Sequence, residues 1–255
     1  MERVIFDRMA ALDQTHWWYI ARRQILAAVI RHHVKMPGSA RILEIGCGTG
    51  HNFAMLGNFG TVDGLELDDK ARILATKRLG RPVGNARLPD LEGVADHSYD
   101  LVALLDVLEH VSDDAPALAT IARKLKPGGR VLVTVPANRW MWSAHDTVHH
   151  HFRRYNGADL RAVVAKAGLE PELVSHFNTL LFPLAAVFRI LGKLVGREDA
   201  DDALPSPILN RIFMKIFGLE RHLVGRIPMP FGVSLLAVLK LADDGKAPLP
   251  AKANP

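Results

Sequence analysis

Two short stretches gather the side chains that could carry acid–base chemistry. In "DVLEHV", Asp106, Glu109 and His110 have the i, i+3 and i+4 spacing that places three side chains on one face of a helix. Together they could hold a hard divalent cation, or His110 could be a general base. Packing or capping by the histidine explains the same spacing, so our first interpretation includes no metal, and this cation site is the lesser alternative.

The second stretch, "NRWMWSAHDTVHHHFRRY", follows a predicted strand and is crowded with Trp, His and Arg. Adjacent His145 and Asp146 could be a general base and the carboxylate that orients it. Substrate contacts are predicted for Trp140, Arg154 and Tyr155. A partly solvated loop whose His and Arg side chains bond backbone carbonyls is the alternative.

A glycine-rich turn follows the first strand-like run, in "RILEIGCGTGHN". Gly46, Gly48 and Gly50 would let the backbone approach a ligand and aim the next helix's N–H groups at it. The third glycine comes one residue too early for the G-x-G-x-x-G pattern of dinucleotide sites. Glu66 ends the second strand-like run, where a carboxylate can accept both hydroxyls of a ribose. A purely structural turn is the alternative.

Alternating strand-like and helical patterns must position these stretches. Short apolar runs separated by helices predict a doubly wound parallel sheet covered on both faces, which is an α/β fold. "LKPGG" at 125–129 is predicted as a turn between a helix and a strand. The strand-like runs are 40–46, 61–67, 81–86, 99–106, 129–136, 169–177 and 233–241, and the helical patterns are 52–59, 69–79, 115–125 and 159–167.

Five motifs occur in a fixed order over roughly 41–136: "ILEIGCGTG", "GLELD", "GNARLPD", "YDLVALLDVLEHV" and "LKPGGRVLVTVP". In this order they resemble the class I S-adenosylmethionine-dependent methyltransferase superfamily, in its type 11/12-like form. The resemblance implies a Rossmann-like seven-stranded sheet whose last strand is antiparallel, and S-adenosylmethionine as the cofactor. "DVLEH" is also similar to the E-x-x-E-H segment of quinone-biosynthesis O-methyltransferases, some of which use a divalent metal there.

The same resemblance implies the cofactor contacts. Asn85 departs from the family, which often has Asp at that place, and packing rather than reactivity is expected of the Cys47 thiol. The implied contacts are Glu44, Gly46, Cys47, Gly48 and Gly50 around the methionine part, Glu66 at the ribose, Leu67 against adenine, Asn85 and Ala86 near the adenine amino group, and Asp106 by the sulfonium.

The N-terminal stretch "HWWYIARR" is expected to lie on a helix that closes over the cofactor. Trp18 and Tyr19 would then form an apolar cover, and Arg22 or Arg23 could meet a carboxylate by a bidentate pair. Simple anchoring of this helix by its tryptophans is the alternative. The predicted organisation is a helical cover at 1–38, a cofactor-binding Rossmann-like domain at 39–177, a helical insertion or cap at 178–230, the last strand at 231–242 and a disordered tail at 243–255.

The insertion before the last strand contains two strongly apolar helical patterns joined by the acidic link "REDADDALPSP". Each helix has an i, i+4 pair of cations, Arg189 with Lys193 and Arg211 with Lys215, beside a broad apolar face. Three interpretations stay open: a cap over an apolar substrate, contact with an anionic membrane surface, or a homodimer interface or extra core.

Composition limits the class of protein. The formal charge of +5 is modest and dispersed, which argues against nucleic acid as a partner, and the single cysteine fits a reducing, cytoplasmic setting. No signal peptide or membrane-spanning run is expected, so the predicted location is cytoplasmic or peripheral at a membrane. The predicted function is methyl transfer to a small or lipid-like acceptor, on oxygen because a hydroxyl gains most from a base. A catalytically silent cofactor-binding scaffold and an NAD-dependent oxidoreductase are the alternatives.

Overall fold

A computed structural model describes residues 3–194 and 204–242 of the 255-residue chain. Within these ranges the strands are β1 (Arg41–Ile45), β2 (Thr61–Leu65), β3 (Tyr99–Leu105), β4 (Leu125–Pro136), β5 (Leu169–Phe177) and β6 (Ser234–Leu241). They form one sheet in the order β2-β1-β3-β4-β6-β5. Strand β6 pairs antiparallel with β4 and β5, and the other pairs are parallel. The predicted Rossmann-like α/β class, with an antiparallel last strand, is confirmed.

The predicted count of seven strands is wrong, since six form in the described ranges. The run at 81–86 makes only one parallel bridge, between Gly84 and Leu65. Pro82 has no N–H to donate and Gly84 has no side chain to pack, so this segment cannot extend the ladder. The predicted turn at 125–129 lies within β4, as an irregularity in its pairing with β3.

Nine helices lie in the described ranges. They are α1 (Arg3–Leu12), α2 (Trp17–His33), α3 (Phe53–Leu56), α4 (Asp69–Leu79), α5 (Asp114–Lys124), α6 (Ala144–Val148), α7 (Gly157–Lys166), α8 (Phe182–Leu194) and α9 (Pro207–Leu219). The predicted bounds of α4 are met at both ends because Asp68 caps its first turn and Gly80 adopts φ +73° after its last. Helix α3 is shorter than predicted. None of these helices is both long and apolar enough to cross a bilayer.

The two faces of the sheet bury separate apolar clusters. Successive residues of β3 point to opposite faces, so Val102 and Leu104 join one cluster while Leu101 and Ala103 join the other. The second cluster also contains buried side chains of α2, among them Ile25. Helix α2 is therefore part of the core as well as a cover.

A buried carboxylate binds the backbone at the start of the insertion at 178–230. Glu220, just after α9, accepts hydrogen bonds from the backbone N–H groups of Asn178, Thr179 and Leu180 at 2.7, 2.7 and 2.8 Å. Asn210 of α9 accepts from the N–H of Trp17 at 2.8 Å. These bonds hold α9 against the N-terminal helices and fix the segment that leads into α8.

Candidate active site

A cavity of about 1180 Å³ lies at the carboxyl ends of β1, β2 and β3. Its walls come from the glycine-rich turn, α1, α2, the loop after β4, α8 and α9. It brings together thirteen residues that the sequence analysis singled out: Trp18, Tyr19, Arg22, Gly46, Gly48, Glu66, Leu67, Ala86, Asp106, Glu109, His110, His145 and Arg154.

Seven other predicted residues lie outside the cavity wall. Asp146 and Tyr155 are buried behind it, and the Tyr155 hydroxyl donates to Asp114 at 2.8 Å. Cys47 is a buried part of an apolar cluster, as expected of a packed thiol, and burial raises its pKa. The seven residues are Glu44, Cys47, Gly50, Asn85, Trp140, Asp146 and Tyr155.

The glycine-rich turn brings backbone close to the cavity. Gly46 has φ +65°, and a Cβ there would lie 2.6 Å from a Val107 methyl carbon, so only glycine fits. The Gly48 N–H donates to one oxygen of Glu66 at 2.7 Å, and the Asp68 N–H donates to the other at 2.9 Å. Each oxygen keeps a second acceptor position, so Glu66 on the cavity wall can still accept two hydroxyl groups.

Glu44 lies beneath this turn and does not reach the cavity. One oxygen accepts from the Asn52 amide at 2.7 Å, and the other has no partner among the described residues. Burial raises the pKa of Glu44 to about 7, although the Asn52 hydrogen bond and the charge of Arg22 oppose the rise.

We expect Glu44→Gln to change how stability depends on pH. The folded chain holds this proton more tightly than an unfolded chain with the ordinary pKa of 4.5, so the wild type loses stability as pH rises from 4.5 to about 7. Glutamine does not ionise, so the variant does not undergo this loss. The unfolding free energy of the variant minus that of the wild type should therefore be about 1–3 kcal/mol higher at about pH 8 than at about pH 4.5. Urea unfolding at both pH values measures this. Exposed Glu92→Gln is the control, and an equal change in both variants would contradict the assignment.

Arg22 bonds to the chain's own carboxylate through Nη2, while its Nε has no partner among the described residues. The Arg22 side chain, 2% exposed, donates to Asp106 at 2.7 Å and to Thr134 at 2.8 Å. The Thr134 hydroxyl donates to the second Asp106 oxygen at 3.0 Å. These bonds tie α2 to the end of β3, and the predicted pairing of Arg22 with a substrate carboxylate stays a prediction.

The predicted helical face on "DVLEHV" is wrong. Asp106 has φ +59°, and only Leu108–His110 form a single 3-10 turn, so the three side chains do not share one face of an α-helix. Glu109, His110 and His151 each offer one potential ligand atom, and these three atoms lie within 4.8 Å of one another. These three, without Asp106, are the residues that could hold a divalent cation. Burial, with a contribution from Asp106, raises the pKa of Glu109 well above its usual range.

Asp146 forms the centre of a buried polar cluster. It accepts from His151 Nδ1 at 2.9 Å, from Arg154 Nε at 2.8 Å and from the Ser143 N–H at 2.9 Å. Burial raises the pKa of Asp146, but the bonds from His151 and Arg154 outweigh it and hold that pKa below its usual range. Arg154 also donates to the Ala137 carbonyl, and because it lines the cavity its substrate contact stays a prediction.

The predicted pair of His145 with Asp146 does not form. Neighbouring side chains on α6 diverge by about 100°, and Asp146 turns inward because it forms a capping box with Ser143. His145 instead stacks on His149 with 4.0 Å between ring centres. The histidine that Asp146 orients is His151, five residues along the chain.

This arrangement makes His151 the best-placed proton acceptor. Ionised Asp146 favours a proton on His151 Nδ1, which leaves Nε2 as the acceptor on a ring that lines the cavity. The His110 ring is 4.7 Å away, and burial together with His151 lowers the pKa of His110 to about 4. His110 is therefore neutral near pH 7.

Sequence reasoning missed His51 and His151 as site residues. His51 follows the third glycine and lines the cavity, and neither ring nitrogen has a partner among the described residues. Burial and the nearby arginines lower its pKa well below the usual value. Its place directly on the glycine-rich turn is the signal that could have found it. His151 stands in a run of three histidines, and spacing alone does not select one of them.

The model of a family described as a methyltransferase domain matches residues 17–174, more than half of the chain. The chain belongs to this family. The matched region contains the glycine-rich turn, Glu66, the Asp146–His151 pair and most of β5. Membership implies S-adenosylmethionine as the cofactor, as the sequence motifs predicted.

Two curated methyltransferases illustrate the similarity. Over 171 residues the chain is 28% identical to trans-aconitate 2-methyltransferase of Variovorax paradoxus, covering 65% of this chain and 61% of that protein. Over 169 residues it is 30% identical to the ubiquinone biosynthesis O-methyltransferase of Thiobacillus denitrificans, covering 59% and 72%. The match thus spans about three fifths of the first relative's length and under three quarters of the second's.

Solved structures share the fold. A chain of the complex between the Haloferax volcanii Trm112 methyltransferase activator and a methyltransferase matches with a TM-score of 0.59 at 21% identity, covering 98% of this chain and 97% of that one. An S-adenosylmethionine-dependent methyltransferase of Mesorhizobium loti matches at 0.54 and 19%, covering 89% and 98%. The [4+2]-cyclase SpnF matches at 0.52 and 18%, covering 85% and 80%. Methyltransferases and a cyclase therefore share this fold, which does not by itself fix the reaction.

Proposed function

We propose that this chain is an S-adenosylmethionine-dependent methyltransferase that methylates a hydroxyl group on a small or lipid-like acceptor. The observation that carries the proposal is that one cavity is lined by both Glu66, beside the glycine-rich turn, and His151, which is oriented by buried Asp146. The first group suits a nucleoside, and the second suits an acceptor that must lose a proton.

The residues around the turn fit the cofactor. Gly46 and Gly48 place backbone on the cavity wall, Glu66 has free acceptor positions for ribose hydroxyls, and exposed Leu67 offers an apolar surface to a base. Ala86 would line the same side, and Asp106 would lie at the sulfonium end. When bound, S-adenosylmethionine supplies a methyl group that is already activated by its sulfonium.

The chain's own work is then positioning, proton removal and exclusion of water. His151 Nε2 would accept the proton of the acceptor hydroxyl, and Asp146 would stabilise the imidazolium that forms. The apolar walls contributed by α1, α8 and α9 would keep water from competing with the acceptor. The relative named for ubiquinone biosynthesis O-methylation supports oxygen as the methylated atom.

Calorimetry and isotope transfer test the proposal. S-adenosylmethionine and S-adenosylhomocysteine should bind the purified chain, whereas NAD should not. Labelled methyl groups from S-adenosylmethionine should then appear as methyl ethers in a fraction of a cell extract. Cofactor binding with no transfer to any fraction would favour a silent scaffold, and binding of NAD alone would favour an oxidoreductase. Either result would overturn the proposal.

A further inference from the structure

Helix α8 presents apolar side chains to the outside. Val187, Phe188, Ile190 and Leu191 are 52, 65, 50 and 54% exposed. No acidic residue occurs anywhere in Phe182–Leu194. Clusters of this kind are costly in water and mark surfaces that contact another apolar phase.

Helix α9 carries a second exposed apolar surface and adds positive charge. Ile208, Ile212 and Leu219 share one helix face and are 72, 43 and 54% exposed. Arg211 and Lys215 are exposed beside that face, and neither pairs with an acidic side chain among the described residues. The outward side of α9 is thus apolar along its centre and cationic along one flank.

The apolar surface reaches the cavity. Phe188 of α8 and Leu209 of α9 both line the cavity, and they are also 65 and 46% exposed. An acceptor that entered between the two helices would pass from one apolar environment to another. We call the exposed outward residues of α8 and α9, with Arg211 and Lys215, the docking face.

Charge selects the occupant of the docking face. Two copies joined by a twofold axis would bring Arg211 and Lys215 near their own equivalents, which repel. The headgroups of an anionic bilayer attract these cations, while its acyl region accepts the isoleucine and phenylalanine side chains. The acidic link between the helices lies largely outside the described residues.

We propose that the docking face binds the surface of an anionic lipid bilayer and turns the mouth of the cavity toward it. Binding to the bilayer does not depend on the reaction. That the acceptor is drawn from the bilayer rests on the proposed function, and it narrows the acceptor class to a membrane-resident molecule with a hydroxyl group.

Vesicle sedimentation tests the docking face without measuring activity. The wild type should bind mixed phosphatidylglycerol and phosphatidylcholine vesicles with at least about tenfold higher affinity than vesicles of pure phosphatidylcholine. The reason is that each surface cation contributes about 1 kcal/mol. Ile190→Ser with Ile208→Ser should lower binding about tenfold or more, since each change removes apolar area from the bilayer. Ile73→Ser on α4, at an equally exposed position of 68%, is the matched control and should bind as the wild type does.

A second pair of variants tests charge. Arg211→Glu with Lys215→Glu should abolish the preference for anionic vesicles, whereas Arg161→Glu with Lys166→Glu on α7 should keep it. Wild-type chain that fails to bind vesicles, or docking-face variants that bind as the wild type does, would overturn the proposal. So would a wild-type dimer by light scattering that the docking-face variants convert to monomer, because the face would then be an interface between copies.

Titration with S-adenosylhomocysteine separates the two proposals. Every docking-face variant should bind it as the wild type does, because none of the changed residues lines the cavity. Vesicle binding without cofactor binding would contradict the proposed function and leave the docking face supported. Cofactor binding without vesicle binding would contradict the docking face and leave the proposed function supported.

Discussion

His151→Ala is expected to lower kcat for methyl transfer about 100- to 1000-fold while changing the Kd for S-adenosylhomocysteine by less than about threefold. The variant loses a cavity-lining histidine whose Nδ1 is bonded to buried Asp146. The cofactor contacts assigned to Glu66 lie elsewhere on the wall, so binding should persist. Single-turnover transfer of labelled methyl groups measures the chemical step, and calorimetry measures binding.

Neighbouring histidines provide the control. His149 also lines the cavity, but it stacks on His145 and makes no hydrogen bond to a carboxylate among the described residues. His149→Ala and His145→Ala should each slow transfer by less than about fivefold, whereas Asp146→Asn should approach the loss seen for His151→Ala. Equal losses in all four variants would mean that the cluster shapes the cavity and that His151 is not the base.

A chelator distinguishes a base from a metal ligand. If EDTA abolishes wild-type transfer and added Mg²⁺ restores it, the set Glu109, His110 and His151 holds a cation, and proton acceptance by His151 is the wrong interpretation. If His151 is the general base, EDTA should leave activity unchanged. The rate loss in His151→Ala should then be smaller at high pH, where the acceptor hydroxyl ionises more readily.

The sheet and the glycine-rich turn were predictable because their signals are local. An apolar run followed by Gly46 and Gly48 specifies a strand and a turn within ten residues, and Glu66 is fixed by the end of the next strand. The run at 81–86 shows the limit of this reasoning. It has the composition of a strand, but because it contains Pro82 and Gly84 it forms only one isolated β-bridge, to Leu65.

The polar site was harder to predict because its contacts join distant residues. Arg22 and Asp106 are 84 positions apart, and the sequence offered each of them a ligand as a partner. Asp146 stands next to His145 but bonds His151, since the geometry of a five-residue helix decides which way a side chain points. Adjacency in sequence was the wrong guide to the partner of Asp146.

The insertion was predicted as two apolar helices, and its placement depends on tertiary contacts. Glu220 accepts hydrogen bonds from three backbone N–H groups about forty positions earlier in the chain. The local sequence pattern does not distinguish this carboxylate from one on the surface. Burial raises the pKa of Glu220, while those three N–H groups act against the rise. A single buried acceptor thus decides how the insertion meets the cavity.

Glu66→Ala is expected to weaken S-adenosylhomocysteine binding by about 100- to 1000-fold. Hydrogen bonds to a charged group contribute about 1.5–3 kcal/mol each, and the carboxylate can accept two from ribose. The variant also leaves the Gly48 and Asp68 N–H groups without their present acceptor, so the turn that must fit the nucleoside loses a constraint. Calorimetry measures the change in Kd, and Glu92→Ala on the surface should leave it unaltered.

Glu66→Gln separates the two contributions to this loss. Its amide oxygen can still accept from one backbone N–H, but the NH₂ group cannot accept from a ribose hydroxyl or from the second N–H. We therefore expect it to fold as the wild type does by thermal unfolding and still to bind at least about tenfold more weakly, because a lost acceptor costs more than about 1.4 kcal/mol. Wild-type affinity in Glu66→Gln would mean that the carboxylate holds the turn and does not touch the sugar. The nucleoside would then have to bind elsewhere along the cavity wall.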